Sequence, residues 1–238
     1  MSRRYVLEIT VQTLDAALAA ERGGANRIEL CEDLSVGGVT PSQHQLRLVR
    51  QQVKLPIFSM VRPRSGDFVY SELEFGAMKR DVARAIQARM DGVVLGVLTE
   101  DGKVDVARTK ELVEFARPLP VTFHRAFDAV PDLNAALEDV ILTGARRILT
   151  SGGAASAETG VGALAELVRR AEGRIEILPG GGLHMGNLAA VVRASGAREF
   201  HSGLSSSMPY EQQGSAAFEA GVREMAQSLR QLDGEAGS

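Results

Sequence analysis

The sequence predicts an α/β protein that folds as one single-domain (βα)8 barrel, a TIM barrel, over residues 1–232. Two observations support this fold class. Short β-branched runs alternate with longer amphipathic stretches, and about eight such strand–helix units fit into the 238 residues. A Gly-Ala pair also precedes three of the predicted strands, at Gly24, Gly144 and Gly196, which is typical of helices that end in the left-handed conformation. Because these pairs recur in phase with the repeated unit, a closed ring is favoured over an open doubly wound sheet.

The strands and helices follow from the apolar pattern of each segment. The predicted strands are Tyr5–Thr10, Arg27–Cys31, Pro56–Arg62, Gly92–Leu95, Val121–His124, Arg147–Thr150, Arg174–Leu178 and Arg198–His201. The predicted helices are Leu14–Arg22, Gln43–Gln52, Glu72–Arg89, Val106–Arg117, Leu133–Leu142, Leu164–Ala171, Asn187–Ala194 and Ser215–Leu232. Residues 233–238 are expected to form a disordered tail.

Composition and charge argue against several classes of function. The formal net charge of −3 argues against a broad nucleic-acid surface, which would need clustered positive charge. No stretch approaches the ~20 apolar residues of a membrane span. The single cysteine, Cys31, excludes an intrachain disulfide and, with no secretory signature, predicts a cytoplasmic protein.

Charged residues occupy predicted strands that a parallel barrel should fill with aliphatic side chains. Since side chains alternate along a strand, Arg27, Glu29 and Cys31 share one face of the second strand. The same rule predicts that the polar side chains of the other strands also point into the lumen. Buried charges cost several kcal/mol unless they are paired or contact water or a ligand. The lumen therefore holds either an internal ion-pair network or a binding site, and both alternatives stay open.

The loops that follow the strands add arginines and glycines. Consecutive glycines let backbone N–H groups approach an anion, although tight strand-to-helix turns need glycine as well. The candidate ligand-binding residues are Arg27, Arg62, Arg64, Arg125, Ser151, Gly152, Gly181 and Gly182, with Ser202 and Gly203 after the eighth strand. The candidate acid–base residues are Glu8, Glu29, His124, Asp128, Glu199 and His201, with Asp128 expected to orient His124 or Arg125. Balanced acids and arginines favour a small polar ligand over a polyanion.

Several of these segments carry a family resemblance that reaches from the first strand to the eighth. They are Gly23–Cys31, Gly37–Ser42, Met60–Phe68 with Tyr70-Ser71, Pro120–Asp128, Arg147–Gly152, Pro179–Gly182 with Asn187, and Glu199–His201. On these residues the chain resembles the copper homeostasis protein CutC family. The resemblance implies a TIM barrel, a cytoplasmic location, copper tolerance and copper binding, and a homo-oligomer.

Copper binding, as the resemblance implies it, would use the soft donors that Cu(I) prefers. The candidate ligands are Cys31 and Met60, with His124 and His201 completing a mixed site. Thr10 stands where many members of the family carry a second cysteine. The expected partner is therefore a copper ion or a small anionic metabolite, with neither nucleic acid nor membrane, and whether the chain is an enzyme stays open.

Overall fold

The computed structural model describes residues 5–204 and 210–236, and its strands form one eight-stranded parallel sheet. The strands are β1 (Val6–Val11), β2 (Arg27–Leu30), β3 (Ile57–Met60), β4 (Gly92–Leu95), β5 (Val121–Phe123), β6 (Arg147–Thr150), β7 (Glu176–Pro179) and β8 (Glu199–Ser202). Hydrogen-bonded pairing runs from β7 down to β1 and on to β8, and β7 also contacts β8, which completes the ring. The predicted TIM barrel is confirmed.

Helices alternate with the strands along the chain. They are α1 (Leu14–Gly23), α2 (Gln43–Gln52), α3 (Glu72–Gln87), α4 (Val106–Ala116), α5 (Leu133–Thr143), α6 (Val161–Ala171), α7 (Met185–Ser195) and α8 (Tyr210–Ala236). Two 3-10 turns, Leu34–Val36 and Arg125–Ala129, follow β2 and β5. The predicted helix stops are confirmed, because Gly24, Gly144 and Gly196 adopt left-handed φ angles of 92°, 82° and 69°.

Strand register assigns the two faces of the sheet. Glu8 of β1 pairs with Arg27 of β2 and with His201 of β8, so the three side chains emerge on the same face. Ile9 and Ile28, which alternate with them, are fully buried on the face that the helices cover. The charged side chains therefore point into the lumen, as the alternation along the strands predicts.

The last helix differs from its prediction. It continues to Ala236 instead of ending at Leu232, so the tail predicted for residues 233–238 is helical as far as the structure describes it; residues 237–238 lie outside the described residues. An ion pair of 3.0 Å between Glu235 and Arg193 of α7 anchors this last turn. Gly214, with φ 74° and ψ 170°, kinks the helix near its start. None of the helices in the described residues is long and apolar enough to cross a membrane.

Candidate active site

A cavity of about 240 Å³ opens at the carboxyl ends of the strands. Its wall includes eight of the residues that the sequence singles out: Glu29, Met60, Arg62, His124, Arg125, Gly181, Gly182 and His201. Gly203, after β8, lines it as well, whereas Ser202 donates its hydroxyl to the Leu183 carbonyl, 2.6 Å away. Active sites of TIM barrels lie at this end, so the cavity is the candidate site.

Three ionisable groups lie close together, two of them in the cavity wall and the third, Glu8, beneath it. His201 Nδ1 lies 2.7 Å from Glu8 Oε1, and His201 Nε2 lies 3.8 Å from Glu29 Oε2. Burial lowers the pKa of His201, but Glu29 and Glu8 outweigh it and leave this pKa raised. Burial also raises the pKa of the Glu29 carboxyl, with a further contribution from Glu8, against the opposing charge of His201. The histidine therefore favours the charged form, while Glu29 becomes a stronger base than an exposed glutamate.

Below this group, an ion-pair network fills the lumen toward the amino-terminal ends of the strands. Arg27 pairs with Glu8 through Nε and with Glu199 through Nη2 at 2.7 Å, and Arg147 Nε lies 2.7 Å from the same Glu199 oxygen. Both guanidinium groups also lie about 5 Å from the centre of the Phe58 ring. Burial raises the pKa of Glu8, but Arg27 and His201 overcome it and hold this pKa at about 2. Glu8 is therefore a permanent anion in the neutral range.

This network separates two groups of predicted residues. Glu8, Arg27 and Glu199, predicted as catalytic or ligand-binding, are absent from the cavity wall because they are paired with one another beneath it. Arg147 was missed, although its alternation with Leu149, which does line the cavity, gives the signal that would have placed it in the lumen. The two alternatives for the lumen, an ion-pair network and a site, therefore occupy different depths of the same barrel.

His124 lines the cavity, and one of its ring nitrogens, Nε2, has no hydrogen-bond partner in the described part of the chain. Its Nδ1 accepts the Ala126 N–H at 3.2 Å, which leaves the ring proton on Nε2 in the neutral form. Burial, aided by the charge of Arg62, lowers the pKa of His124 to about 3, so the ring is neutral at physiological pH. Gly96, also missed by sequence reasoning, makes room for the ring, because a Cβ there would lie 2.7 Å from His124 Nδ1.

Arg62 is held by the backbone of two loops. Its Nη1 donates to the carbonyls of Val36 and Gly38, and Nη2 donates to that of Gly66, each at 3.0 Å. Among the described residues no carboxylate forms an ion pair with Arg62, and its Nε has no hydrogen-bond partner, although the residue lines the cavity. The ring of Phe68, which also lines the cavity, packs 5.0 Å from the guanidinium carbon.

Arg125 forms another positive part of the wall, and Asp128 positions it. Asp128 Oδ2 accepts from Arg125 Nε at 2.7 Å and from the Ser151 hydroxyl at 3.0 Å, and Arg125 Nη2 donates to the same hydroxyl at 3.0 Å. The guanidinium lies close over Gly181, where a Cβ would come within 3.1 Å of its carbon; the φ of 95° at Gly181 also favours glycine. Of the two partners predicted for Asp128, the structure shows Arg125.

Three other candidates lie outside the cavity wall. Arg64 is turned toward the surface, where Nε donates to Glu74 at 2.6 Å and Nη2 donates to Asp67 at 2.9 Å. Ser151 and Gly152 serve the loop after β6, since the Ser151 hydroxyl shares its one proton between Asp128 and the Ala154 carbonyl, 2.6 Å away, and the Gly152 N–H donates to Thr150 Oγ1 at 2.8 Å. These residues shape the loops around the cavity.

The soft donors form a small buried cluster beside the cavity. Cys31 Sγ and Met60 Cε lie 3.2 and 3.7 Å from the position a Cβ would take on Gly38, and the Thr10 hydroxyl lies 3.4 Å from the sulfur of Cys31. Burial, with the nearby Glu29 charge, raises the pKa of the Cys31 thiol to about 12. Among the described residues, one group of three His, Cys or acidic side chains brings its possible metal-ligand atoms within 4.8 Å of one another, and it consists of Glu8, Glu29 and His201. The predicted donors Cys31, His124 and His201 do not form such a group.

Fold and site together define a (βα)8-barrel protein with a charged, ligand-sized cavity at the carboxyl ends of its strands. The chain belongs to the CutC family, whose sequence profile matches residues 5–206. It is 49% identical over 197 residues to the human copper homeostasis protein cutC homolog, covering 83% of this chain and 72% of that protein. It is 47% identical to a family protein CutC of Chromobacterium violaceum, covering 93% and 91% of the two chains.

Solved structures agree with this assignment. A CutC structure from Streptococcus agalactiae superposes with a TM-score of 0.79 at 31% identity, covering 83% of this chain and 98% of the other. A phosphoribosylanthranilate isomerase of Thermotoga maritima superposes with a TM-score of 0.61, covering 94% and 99%, but at 13% identity it shares the fold alone.

Proposed function

We propose that the cavity binds a small polar metabolite with a negatively charged group, and that Glu29 and His124 carry out acid–base chemistry on it. One observation carries the proposal. Glu29 Oε1, Arg62 Nε and His124 Nε2 are buried, have no hydrogen-bond partner in the described part of the chain, and belong to residues that line this one cavity. Each unsatisfied buried polar group costs about 1–3 kcal/mol, so a ligand that pairs with them regains that free energy.

The chemistry of the wall supports a division of roles. Arg62 and Arg125 give the wall positive charge, which favours an anionic ligand. Glu29 supplies a carboxylate whose pKa is raised by burial, which suits a general base. The neutral His124 supplies an Nε2–H donor. We place this activity in the cytoplasm, because a chain with one cysteine has no need of an oxidising compartment.

Thermal unfolding in the presence of small anions tests the proposal. A ligand at 100 times its Kd stabilises the folded state by about 2.7 kcal/mol, which raises the unfolding temperature measurably. Inorganic phosphate, citrate and sugar phosphates form the first panel. We expect stabilisation of the wild type and of Arg64→Ala, the matched control from the same loop, and its loss in Arg62→Ala and His124→Ala.

The proposal is wrong if no anion stabilises the wild type, or if Arg62→Ala and His124→Ala respond as the wild type does. Circular dichroism of each variant without ligand establishes that it is folded. Arg62→Lys keeps the positive charge and serves in place of Arg62→Ala if the alanine variant does not fold.

Copper binding is the second candidate function. The name of the human relative and the close approach of Cys31 and Met60 to Gly38 support it. The fit is partial, because burial raises the pKa of the Cys31 thiol and His201 is engaged by Glu8 at 2.7 Å. Copper would then be cargo held chiefly by one thiolate and one thioether, which are ligands that suit Cu(I).

Anaerobic Cu(I) titration under reducing conditions tests this second function. We expect the wild type to bind and Cys31→Ser to bind much more weakly, with Met185→Leu, whose side chain is exposed on α7, as the matched control. Equal affinity of wild type and Cys31→Ser for Cu(I), or no binding by either, would contradict this second function. Self-association, which the family resemblance implies, stays a prediction that light scattering in solution measures.

A further inference from the structure

We infer that the reaction at this cavity is reversible proton transfer at a carbon next to a carbonyl group, on a small anionic hydroxycarbonyl compound. This inference rests on the proposed function and adds the reaction class and the substrate class. It comes from one unpartnered acceptor, Glu29 Oε1, and one unpartnered donor, His124 Nε2, which belong to two residues that line the same cavity. Such a pair suits removal of a proton from carbon while the neighbouring oxygen gains negative charge.

The tautomer of His124 selects this chemistry over hydrolysis through a histidine base. Since Nδ1 accepts the Ala126 N–H at 3.2 Å, the neutral ring holds its proton on Nε2 and cannot accept a proton there. Arg62, which lines the same wall, opposes a second proton on the ring. His124 is thus a neutral donor to a carbonyl oxygen, a role that neutral histidines fill in enolising enzymes.

Glu29 has the surroundings of a carbon base. Its Oε2 lies 3.8 Å from His201 Nε2, and Glu8 holds the other ring nitrogen at 2.7 Å. The positive charge that His201 favours therefore lies beside the carboxylate, which helps to place it as general bases require. Glu8 and His201 act here as positioning residues.

The cavity also limits the substrate. Its volume of about 240 Å³ is below the ~300 Å³ at which drug-sized pockets begin, so the substrate is a small metabolite. Just beyond the ends of β7 and β8, Gly181, Gly182 and Gly203 line the cavity, and Arg125 packs against Gly181. Barrel enzymes commonly bind phosphate with the loops after their seventh and eighth strands. A substrate that binds there through its phosphate or carboxylate group would place its carbonyl group toward Glu29 and His124.

The bonds balance without a co-reactant. Glu29 takes the proton from the carbon that carries the hydroxyl, and the C–H electron pair becomes a C=C bond to the carbonyl carbon. The carbonyl π pair moves onto its oxygen, which accepts the hydrogen bond from His124 Nε2–H. Glu29 then returns the proton to the former carbonyl carbon and the enediol hydroxyl proton moves to the adjacent oxygen, giving an isomer; return to the original carbon gives exchange or epimerisation.

Deuterium uptake from heavy water, followed by NMR, tests the inference. The probes are hydroxyketones of three to six carbons in phosphorylated, carboxylated and uncharged forms, including dihydroxyacetone phosphate, hydroxypyruvate and dihydroxyacetone. We expect the wild type to incorporate deuterium next to the carbonyl of one charged form and not of the uncharged form. The charged form that reacts identifies phosphate or carboxylate as the recognised group.

Two variants assign the residues. We expect Glu29→Gln to lower the exchange rate by 10²–10⁴-fold, the usual contribution of a general base, and His124→Gln to lower it strongly as well. Glu32→Gln, the same substitution at an exposed residue outside the cavity, should exchange as the wild type does. Thermal stabilisation by the probe should persist in Glu29→Gln, which shows that the cavity is intact.

The outcomes separate this inference from the proposed function. Stabilisation of the wild type by a charged probe without deuterium uptake from any member of the panel overturns the inference and leaves the binding function standing. Uptake that is unchanged in Glu29→Gln overturns the assignment of the base. Neither stabilisation nor uptake with any probe overturns both proposals.

Discussion

Replacement of Glu8 by Gln should destabilise the barrel, by an amount that depends on pH. Glu8 is almost fully buried and contacts Arg27 and His201, which hold its pKa at about 2 against an ordinary value of 4.5. This difference of about 2.5 pH units corresponds to about 3 kcal/mol, since each unit is worth 1.36 kcal/mol. The figure agrees with the ~3–5 kcal/mol typical of a broken buried ion pair. In a chain of this size the unfolding temperature falls by roughly 6–12 °C.

The sign of the pH effect follows from the lowered pKa. A carboxyl group whose pKa falls on folding stabilises the protein fully above its unfolded value near 4.5, and this contribution is lost as the pH falls toward 2. The difference in unfolding free energy between wild type and Glu8→Gln should therefore shrink below pH 4.5. His201 behaves in the opposite sense, because its pKa is raised on folding. Its contribution to the unfolding free energy is complete below about pH 6.5, the unfolded value, and declines as the pH rises through the pKa of the folded state.

Urea unfolding followed by circular dichroism, at intervals between pH 3.5 and 8, measures both effects. Glu138→Gln is the matched control, because Glu138 forms a 2.7 Å ion pair with Arg174 on the surface. The unfolding free energy of this variant should stay close to that of the wild type at every pH. Equal stability of Glu8→Gln and wild type at pH 7 would refute the reasoning. So would a large difference that stays constant down to pH 3.5.

Three further predictions concern packing and titration. Gly92→Ala should destabilise the barrel by about 1–3 kcal/mol in thermal unfolding, because the new Cβ would lie 2.4 Å from the Phe58 ring. Gly162→Ala in α6 has open space around the new methyl group and should be neutral or stabilising by up to ~1 kcal/mol. A Gly162→Ala variant less stable than Gly92→Ala would contradict the packing argument. The Cys31 thiol, with its pKa raised to about 12 by burial, should resist alkylation at pH 8 until urea unfolds the chain; rapid alkylation of the folded protein would contradict its burial. The His124 ring, with its pKa lowered to about 3, should show no NMR titration between pH 5 and 8, and a midpoint near 6.5 would contradict the neutral donor.

Alternation along the strands predicted which side chains enter the lumen, but not how deep each one lies. Glu29 and Arg27 share one face of β2, yet Glu29 lines the cavity and Arg27 pairs beneath it with Glu8 and Glu199. Depth depends on the stagger between neighbouring strands, such as the pairing of Val6 with the first residue of β8. That stagger is a property of the closed barrel, so no single strand encodes it.

The two arginines of one loop show a second limit. Arg62 and Arg64 have the same chemistry, and the sequence gives no reason to separate them. The structure separates them through Glu74, which caps α3 with Ser71 and draws Arg64 to the surface at 2.6 Å. The carbonyls of Val36, Gly38 and Gly66 hold Arg62 over the cavity instead. The direction of a side chain that depends on the cap of a distant helix cannot be predicted from the residues next to it in the sequence.

The ion-pair network explains why the base of the proposed reaction can work in a buried position. A lone buried carboxyl would stay protonated, because burial penalises its charge. Here Glu29 faces His201, whose own charge is favoured by Glu8, and Glu8 is in turn held by Arg27. Burial thus raises the pKa of Glu29, while the charge of His201 opposes that rise. An apolar lumen would be at least as stable, since buried ion pairs seldom outperform hydrophobic packing. The network beneath the cavity therefore makes physical sense as support for a functional carboxylate, and Glu8→Gln should weaken deuterium exchange as well as stability.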